Sequence, residues 1–349
     1  MRIAIRIAIV TDAWTPQVNG VVNTLKSTRR HLQQLGHSVL MITPENMRGF
    51  SCPTYPEIKL AYKPYTHIAA WLKEFAPDCI HIATEGPMGL AARRYCLQHG
   101  LGFTTAYHTR FPEYLHARMR LPLAVSYRWL KWFHAPSQAI MVPTPGVQRA
   151  LEAHGFRRVV QWGRGVDTDY FKPGARQDRA MMRPLYLYVG RVAIEKNIEA
   201  FLRIELPGEK WVIGDGPQRE ALERKYPAVR FLGAKAHEVL PPYYNCADVF
   251  VFPSRTDTFG LVMAEAMACG VPVAAYPVEG PIDVVANGIS GILDEDLSRA
   301  CFDALQLKRN TVRRHALSYS WHASTQQFLG HLHPVRKNNP MPVAQVALG

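Results

Sequence analysis

Short apolar runs alternate with amphipathic stretches of helical period along most of this chain. In the first half the apolar runs predict strands at 2–10, 39–43, 79–83, 103–107 and 139–144. The amphipathic stretches between and after them predict helices at about 21–35, 66–75, 88–99 and 145–155. The second half continues with predicted strands at 185–189, 210–213, 229–232, 249–253 and 271–275, again separated by helical patterns. This alternation predicts an α/β protein with doubly wound parallel sheets.

Glycine and proline crowd together after Trp162, and the hydrophobic periodicity stops there. Since 349 residues are long for a single core, we expect two domains, at 1–163 and 184–318, joined by a linker at 164–183. A last amphipathic helix is predicted at 319–330. The tail at 333–349, rich in Pro and Asn, is expected to be disordered.

The composition restricts the class of protein. No run approaches the roughly 18 consecutive apolar residues of a membrane helix, and the N-terminus lacks a signal-peptide pattern, so we expect a cytoplasmic protein. The 6 cysteines form no CxxC pair and lie mostly in apolar surroundings, which favours buried thiols over disulfides or structural zinc.

Most of the net charge of +13 lies in residues 1–160, which contain 19 Lys and Arg but only 8 Asp and Glu. Such asymmetry favours an anionic partner for the first half, either a membrane surface or nucleic acid. The segment 115–134 interleaves Arg and Lys with Tyr127, Trp129, Trp132 and Phe133, which is typical of an interfacial membrane helix. A core helix with snorkelling cations is the alternative.

The stretch 254–276 is the main candidate for a site. It follows a buried strand, and its helix is predicted to begin near Phe259 and Gly260, with Asp257 just before it and Glu265 on its body. Free amides at a helix N-terminus favour anions or hydroxyls, and open α/β sheets bind ligands at this edge. The alternative is an N-capping Asp257 and a solvated Glu265.

Two glycine-led turns follow other predicted strands of the second half. Gly190 precedes Arg191 and Lys196, which could together bind a diphosphate, although a solvated basic loop would look the same. Gly214 opens Gly-x-Gly, a weak phosphate-loop signal without its third glycine.

His108 and the pair Asp167 and Asp169 are two further polar groups that could form a site. His108 follows the strand 103–107; a single histidine is more often structural, but this edge position favours a ligand role. Asp167 and Asp169 could suggest a metal, but with no third ligand nearby we expect none. The turn after the first strand lacks G-x-G-x-x-G, which weighs against a dehydrogenase.

Several of these motifs together resemble the retaining GT-B glycosyltransferases of family 4. Asp257-x7-Glu265, with Phe259-Gly260, is similar to the family's E-x7-E signature. Further matches stand in the family's order and spacing: Pro16-x-x-Asn-Gly20, Gly165-Val-Asp-x-x-x-Phe171, Gly190-Arg-x-x-x-Glu-Lys-Asn197, Gly214-Asp-Gly-Pro217 and Phe231-Leu-Gly233. The resemblance covers essentially residues 1–330.

The resemblance implies two facing Rossmann-like domains with a nucleotide-sugar in the cleft between them, held chiefly by the second domain, and an acceptor on the first. It also implies that the helix 319–330 packs back on the first domain. Arg191 and Lys196 would neutralise the leaving diphosphate. The donor would further contact these residues: Asn19, Gly20, Gly190, Gly214, Asp257, Phe259, Gly260, Leu261 and Glu265.

Within this arrangement Asp257 would hold sugar hydroxyls, Glu265 the ribose, and His108 the transferred sugar. Glu85, at another strand end, is an acceptor-side candidate. No cofactor or metal is expected, since the leaving phosphate itself would deprotonate the acceptor. The first acid of the signature is Asp here instead of Glu, which leaves the sugar open. The similarity to GDP-mannose-dependent α-mannosyltransferases and to sulfoquinovosyl and phosphatidylinositol mannosyl transferases favours mannose or glucose.

The leading hypothesis is therefore an α-hexosyltransferase acting on a membrane lipid, peripheral on the inner face of the cytoplasmic membrane through its basic first domain. A soluble or polysaccharide acceptor is the alternative. A basic nucleic-acid-binding protein would explain the charge, but no helix-turn-helix, zinc or RNA-binding signature supports it, and we expect no nucleic acid partner.

Overall fold

The computed structural model describes residues 4–17, 19–45, 47–52, 55–175 and 182–336. Part of the predicted linker, 176–181, and the predicted tail from residue 337 onward lie outside these residues. The described chain divides into two units. The described residues within 1–109, 122–163 and 321–349 form the first unit, and those within 110–121 and 164–320 form the second.

The strands are β1 (Arg6–Val10), β2 (Ser38–Ile42), β3 (Gly49–Cys52), β4 (Tyr55–Ala61), β5 (Cys79–Ile82), β6 (Thr104–Ala106), β7 (Ile140–Val142), β8 (Val159–Gln161), β9 (Leu185–Val189), β10 (Glu209–Ile213), β11 (Arg230–Phe231), β12 (Val249–Phe252), β13 (Val273–Ala275) and β14 (Gly291–Leu293). The helices are α1 (Gly20–Gln34), α2 (Tyr65–Phe75), α3 (Pro87–Gln98), α4 (Phe111–Met119), α5 (Leu123–His134), α6 (Pro145–Ala153), α7 (Ile198–Leu202), α8 (Arg219–Lys225), α9 (Pro241–Cys246), α10 (Leu261–Ala268), α11 (Pro281–Val284), α12 (Leu297–Ala304), α13 (Arg309–Ala316) and α14 (Trp321–His331).

Each unit contains one six-stranded sheet in which all neighbouring strands are parallel. The order is β2-β1-β5-β6-β7-β8 in the first unit and β11-β10-β9-β12-β13-β14 in the second. The strand order reverses beside β1 in one sheet and beside β9 in the other. In open parallel sheets, ligands bind at the carboxyl edge near such switch points.

Both faces of each sheet are covered, as the alternation of side chains along the central strands shows. Ala8 and Val10 of β1 enter one apolar cluster, whereas Ile7 and Ile9 enter another. In β9, Leu187 and Tyr188 likewise belong to clusters on opposite faces. A strand buried on both sides must be apolar throughout, which is why these runs do not alternate with polar residues. The predicted doubly wound parallel fold is confirmed.

Several features depart from the predicted elements. The edge strands β8 and β14 were not predicted. An antiparallel hairpin, β3 paired with β4, was not predicted. The segment 115–134 is divided between α4 and α5, because Pro122 lies at the N-terminus of α5. Arg110–Leu121, within the predicted first domain, groups with the second unit. The last helix, α14, groups with the first unit and packs against α1.

Candidate functional site

The carboxyl ends of β9 and β12 carry the predicted diphosphate-binding and sugar-binding residues of the second unit. A short 3-10 turn, Ile194–Lys196, follows β9, and the loop 253–260 follows β12. Hydrogen bonds join the two: Thr256 Oγ1 donates to the Glu195 carbonyl (3.1 Å), and Asn197 Nδ2 donates to the Pro253 carbonyl (3.1 Å). These bonds fix the turn on the loop, so the side chains at its end meet.

Lys196 and Asp257 form the ion pair at this edge, with Nζ 2.5 Å from Oδ1. Their side chains are only 19% and 16% exposed. Burial alone lowers the pKa of Lys196, but the Asp257 carboxylate, together with Tyr114 and Tyr188, raises it above its ordinary value overall. The lysine is therefore a stable cation at neutral pH.

The second carboxylate oxygen of Asp257 is also buried, and no hydrogen-bond donor among the described residues reaches it. Buried carboxylate oxygens normally have partners, so this atom is well suited to accept a hydroxyl from a ligand. The alternative role of Asp257 as an N-cap does not hold, because Gly260 occupies that position in α10.

Gly260 precedes α10 with φ of 76°, and no side chain caps the helix. Leu261 is its first residue, so the backbone amides of the first turn are oriented toward this loop. The Phe259 ring is buried and packs edge-on against Tyr319, with ring centroids 5.8 Å apart. Any contribution of Phe259 to a ligand would therefore come from its backbone.

Glu265 lies on the body of α10 and is only 5% exposed, so it is not a solvated helix carboxylate. His237 Nε2 lies 2.8 Å from its Oε1, and the Tyr244 hydroxyl donates to its Oε2 at 2.9 Å. Burial lowers the pKa of His237, but the hydrogen bond and charge of Glu265 raise it overall. Sequence reasoning missed both partners. His237 follows Gly233 in an irregular segment, and nothing in its spacing relates it to Glu265.

The two glycine-led turns meet closely. A Cβ on Gly214, where φ is 139°, would lie 1.8 Å from the Gly190 carbonyl oxygen, so only glycine fits there. Arg191 follows directly and is partly buried, and its carbonyl accepts a hydrogen bond from the Tyr188 hydroxyl at 2.7 Å. The structure thus brings Gly190, Gly214 and Arg191 to the same sheet edge as Lys196.

A segment of the chain's first half also reaches this edge. We call Arg110–Leu121, which contains α4, the strap. Its Tyr114 hydroxyl lies 3.4 Å from Lys196 Nζ, and Arg110 Nη2 lies 3.1 Å from Glu279 Oε2. The motif pattern gave no indication of this contact.

In the first unit, the loop after β1 is organised around Asn19 and Asp12. Asn19 Oδ1 accepts from the amides of Val21 and Val22, both at 3.0 Å, and so caps α1 at Gly20. Its Nδ2 donates to Gln17 Oε1 (3.2 Å), and Gln17 Nε2 donates to the Asp12 carbonyl (3.2 Å). Asn19 and Gly20 are therefore held in their own unit by local bonds.

Asp12 itself caps α3, which begins after β5. Its Oδ1 accepts from Met88 N at 2.9 Å, its Oδ2 accepts from Gly89 N at 3.4 Å, and the Thr84 hydroxyl donates to Oδ2 at 2.8 Å. Burial raises the pKa of Asp12, although these bonds lower it in part. Sequence reasoning missed this residue, since it lies far in sequence from the helix that it caps.

Glu85 and His108 lie at the carboxyl ends of β5 and β6. Glu85 Oε1 is 3.3 Å from Nε2 of the fully buried His134, whose Nδ1 is 2.9 Å from Thr105 Oγ1. The His108 ring is partly buried and packs edge-on against Trp162, with centroids 5.5 Å apart. Both residues thus occupy the predicted sheet edge, and their roles stay predictions.

The exposed side of α5 combines apolar and basic residues. Trp132 is 51% exposed, Val125 44% and Trp129 37%, and Arg128 and Lys131 are exposed beside them. The opposite side packs into the core through Tyr127, Leu130 and Phe133. The helix thus has features of both predicted alternatives, an interfacial helix and a core helix. One face packs into the core, and the other is an exposed aromatic and basic surface.

In the part of the chain that the structure describes, no helix is both long and apolar enough to cross a bilayer. Over the same residues, no group of three or more His, Cys, Asp or Glu side chains is arranged to hold a metal ion.

Comparison with known proteins identifies the family. The family model described as Glycosyltransferase Family 4 matches residues 18–170, and the model described as Glycosyl transferases group 1 matches residues 183–307. A GDP-mannose-dependent alpha-mannosyltransferase of Corynebacterium glutamicum is 30% identical over 82% of this chain and 76% of its own length. An alpha-monoglucosyldiacylglycerol synthase of Streptococcus pneumoniae is 25% identical over 90% of this chain and 81% of its own.

Among solved structures, a sucrose-phosphate synthase of Thermosynechococcus elongatus superposes with a TM-score of 0.75, at 21% identity, over 93% of this chain and 97% of its own. That similarity shows the GT-B fold. Together with the two matching family models, the Corynebacterium relative shows that the chain belongs to glycosyltransferase family 4, among the group 1 glycosyltransferases.

Proposed function

We propose that this glycosyltransferase transfers a hexose of mannose or glucose type from a nucleoside-diphosphate sugar to an acceptor hydroxyl, with retention and without a divalent metal or other cofactor. One observation carries the proposal. Lys196 and Asp257 are paired at the ligand edge of the second sheet, while the other Asp257 oxygen lies buried without a partner among the described residues.

Each part of such a donor has a chemically matched group in the second unit. Lys196 and Arg191 supply two cations for the diphosphate, so the charge need not be neutralised by a metal. Asp257 Oδ2 can accept a sugar hydroxyl. The buried carboxylate of Glu265, fixed by His237 and Tyr244, can accept the hydroxyls of the ribose.

The transfer step needs no separate base, because the leaving phosphate takes up the proton of the acceptor hydroxyl. The bond between the anomeric carbon and the phosphate oxygen breaks, and its electron pair remains on the phosphate. The acceptor oxygen then bonds to the anomeric carbon from the same face, and its proton moves to the phosphate oxygen. Negative charge grows on the diphosphate as the bond breaks, so fixed cations beside it stabilise the transition state more than the ground state.

The relatives support the choice of donor and acceptor. The Corynebacterium relative is named for GDP-mannose, and the Streptococcus relative is named for a diacylglycerol product. For this chain we therefore propose GDP-mannose, with UDP-glucose as the second candidate, and an acceptor on a membrane lipid. Glu85, whose Oε1 lies 3.3 Å from His134 Nε2, is the candidate to contact the acceptor.

The surface of α5 supports a peripheral site on an anionic membrane on the cytoplasmic side. Exposed tryptophans insert at the headgroup level, while Arg128 and Lys131 are attracted by anionic lipids. The concentration of positive charge in residues 1–160 acts in the same direction. A soluble glycan acceptor remains the alternative outcome of the test below.

Donor identity is tested by thermal unfolding of the full chain with GDP-mannose, UDP-glucose, GDP or UDP, because a ligand of the folded state raises the midpoint according to its occupancy. Radiolabelled donor is then incubated with membrane lipid extract or with aqueous polysaccharide, with chelator present throughout. Label in lipid extract is expected. Label in the polymer alone would overturn the lipid acceptor, and loss of transfer in chelator would overturn metal independence.

A further inference from the structure

Tyr114 lies beside Lys196 without belonging to any motif of the second unit. Its hydroxyl oxygen is 3.4 Å from Lys196 Nζ, and Nζ is 5.9 Å from the centroid of its ring. Burial raises the pKa of the Tyr114 phenol, so the hydroxyl is neutral at physiological pH and can accept a hydrogen bond from the ammonium.

The ammonium of Lys196 has three N–H donors, and its contacts among the described residues involve two acceptors. One is Asp257 Oδ1 at 2.5 Å, and the other is the Tyr114 hydroxyl. Because the donors on nitrogen are tetrahedral, two fixed acceptors determine where the third N–H points. With Asp257 as the single acceptor, the ammonium could rotate about the line that joins the two residues.

The strap is also attached on the Asp257 side of the pair. Arg110 forms an ion pair with Glu279 at 3.1 Å, and Glu279 directly precedes Gly280. A Cβ on Gly280, where φ is 91°, would lie 2.5 Å from the Asp257 carbonyl oxygen, so the two backbones are in close contact. The strap therefore contacts Lys196 through Tyr114 and contacts the segment packed against Asp257 through Arg110.

We propose that Tyr114 is a positioning residue for the transfer step: its hydroxyl holds the Lys196 ammonium so that the third N–H faces the leaving diphosphate. The inference rests on the proposed function, in which Lys196 binds that diphosphate. Tyr114 acts through the lysine and needs no contact with the substrate.

This role predicts that a change at Tyr114 affects kcat and donor affinity to different extents. The charge on the leaving phosphate is greatest in the transition state, so a misdirected N–H lowers kcat more than it lowers donor affinity. A residue that only supported the fold would instead change stability, or would change both constants through a damaged site.

The test compares Tyr114→Phe with the wild type, and uses Tyr62→Phe, at a 59% exposed tyrosine of the first unit, as the matched control. Phenylalanine keeps the ring and removes the oxygen. At 3.4 Å the lost hydrogen bond is long, so we expect kcat to fall about 5- to 20-fold, below what a short bond to a charged group would give. The donor KM and the Kd for the nucleoside diphosphate should change by less than about 2-fold.

A double-mutant cycle adds a readout that a structural role would not give. In a Lys196→Met background, Tyr114→Phe should have no further effect on kcat, because the group that it positions is absent. Glu279→Gln, which removes the ion pair that anchors the strap, should lower kcat in the same direction and by a smaller factor.

The outcomes separate this inference from the proposed function. A Tyr114→Phe protein with wild-type kcat, or an undiminished effect in the Lys196→Met background, overturns the inference alone. A wild type that transfers no sugar from any nucleotide donor overturns the proposed function and the inference with it. Unfolding midpoints of all variants, measured in parallel, identify any loss of turnover that comes from misfolding.

Discussion

His237 Nε2 lies 2.8 Å from Glu265 Oε1, and the two side chains come from a 3-10 turn and from the body of α10. This contact gives Glu265 a fixed orientation before any ligand is present. It also links the protonation of His237 to folding, because the hydrogen bond and charge of Glu265 outweigh the effect of burial and raise the pKa of His237 overall.

The pair should make stability depend on pH. The pKa of His237 is higher in the folded state, so protonation stabilises the fold fully below the unfolded pKa of about 6.5, and this contribution is lost as pH rises through the folded pKa. We expect His237→Gln to lower the unfolding midpoint by about 1 to 3 °C at about pH 5.5, a modest value because the ring is one-third exposed. The difference in unfolding midpoint between the wild type and His237→Gln should be smaller at about pH 9.

Differential scanning fluorimetry at both pH values measures this gap. His322→Gln, at an exposed histidine of α14, is the matched control and should show the same midpoint shift at both. An equal gap for His237→Gln at the two pH values would contradict the argument.

Removing the charge of Lys196 should affect catalysis far more than donor binding. We expect Lys196→Met to lower kcat by about 100- to 1,000-fold, the range found when one electrostatic donor to a transition state is lost. Steady-state kinetics with the donor selected by the thermal-unfolding test measures the effect, and Lys225→Met, at an exposed lysine, serves as control. A loss that appears only in KM would show that Lys196 contributes uniform binding instead.

This variant leaves the Asp257 carboxylate without its ion pair, which can cost stability. The unfolding midpoint and the affinity for the nucleoside diphosphate therefore need to be measured on the same preparation. A folded variant that retains about a tenth or more of the wild-type affinity, yet has lost turnover, is the expected result.

Asp12→Ala should destabilise the first unit by about 1 to 3 kcal/mol, because two amides of α3 and the Thr84 hydroxyl lose their acceptor. Burial raises the pKa of Asp12, which means that the ionised carboxylate is less favourable in the folded state than in the unfolded one. At neutral pH, burial of this charge therefore offsets part of the free energy that the capping hydrogen bonds contribute. The stability conferred by the protonated carboxyl is fully present below the unfolded pKa of about 3.9 and is lost as pH rises through the folded pKa. Chemical denaturation at pH 7 measures the difference, with Asp303→Ala at an exposed helix position as control. Unfolding free energies within about 0.5 kcal/mol of the control would contradict the capping role.

The exposed face of α5 should bind anionic vesicles. Trp129→Ser with Trp132→Ser is expected to reduce co-sedimentation with vesicles containing phosphatidylglycerol by about 10-fold, since apolar burial at the interface is lost while the charge is retained. Phe302→Ser, at a 42% exposed aromatic residue of the second unit, is the matched control. If the wild type does not sediment with these vesicles even at low salt, the membrane site is wrong.

Much of the fold could be predicted because buried parallel strands are recorded in the sequence as short apolar runs. The runs at β9 and β12, and the glycines that follow, predicted from pattern alone the sheet edge at which Lys196 and Asp257 meet. The hairpin of β3 and β4 was not predicted, because its strands lack a continuous apolar run.

The partners within the site were harder to predict. Lys196 and Asp257 were each proposed, but their direct pairing depends on hydrogen bonds between two loops that are 61 residues apart. Tyr114 and His237 approach the site from irregular segments or from the other half of the chain, and hydrophobic periodicity carries no information about such contacts. Motif spacing records neighbours along the chain, whereas these neighbours exist only after folding.

The division of the chain between the two units has a consequence for synthesis on the ribosome. The strap leaves the ribosome before residues 164–320 of its own unit, and α14, which packs against α1, is made after the other described helices and strands. The first unit can therefore not be completed before the second unit has been synthesised. Residues near Lys196 must be synthesised before the strap gains its contacts, and the part of α1 that α14 covers stays exposed until residue 321 and beyond have emerged. A chain released early, before α14, would expose the surface around Trp162 that Phe328 covers, which makes it a natural substrate for chaperones.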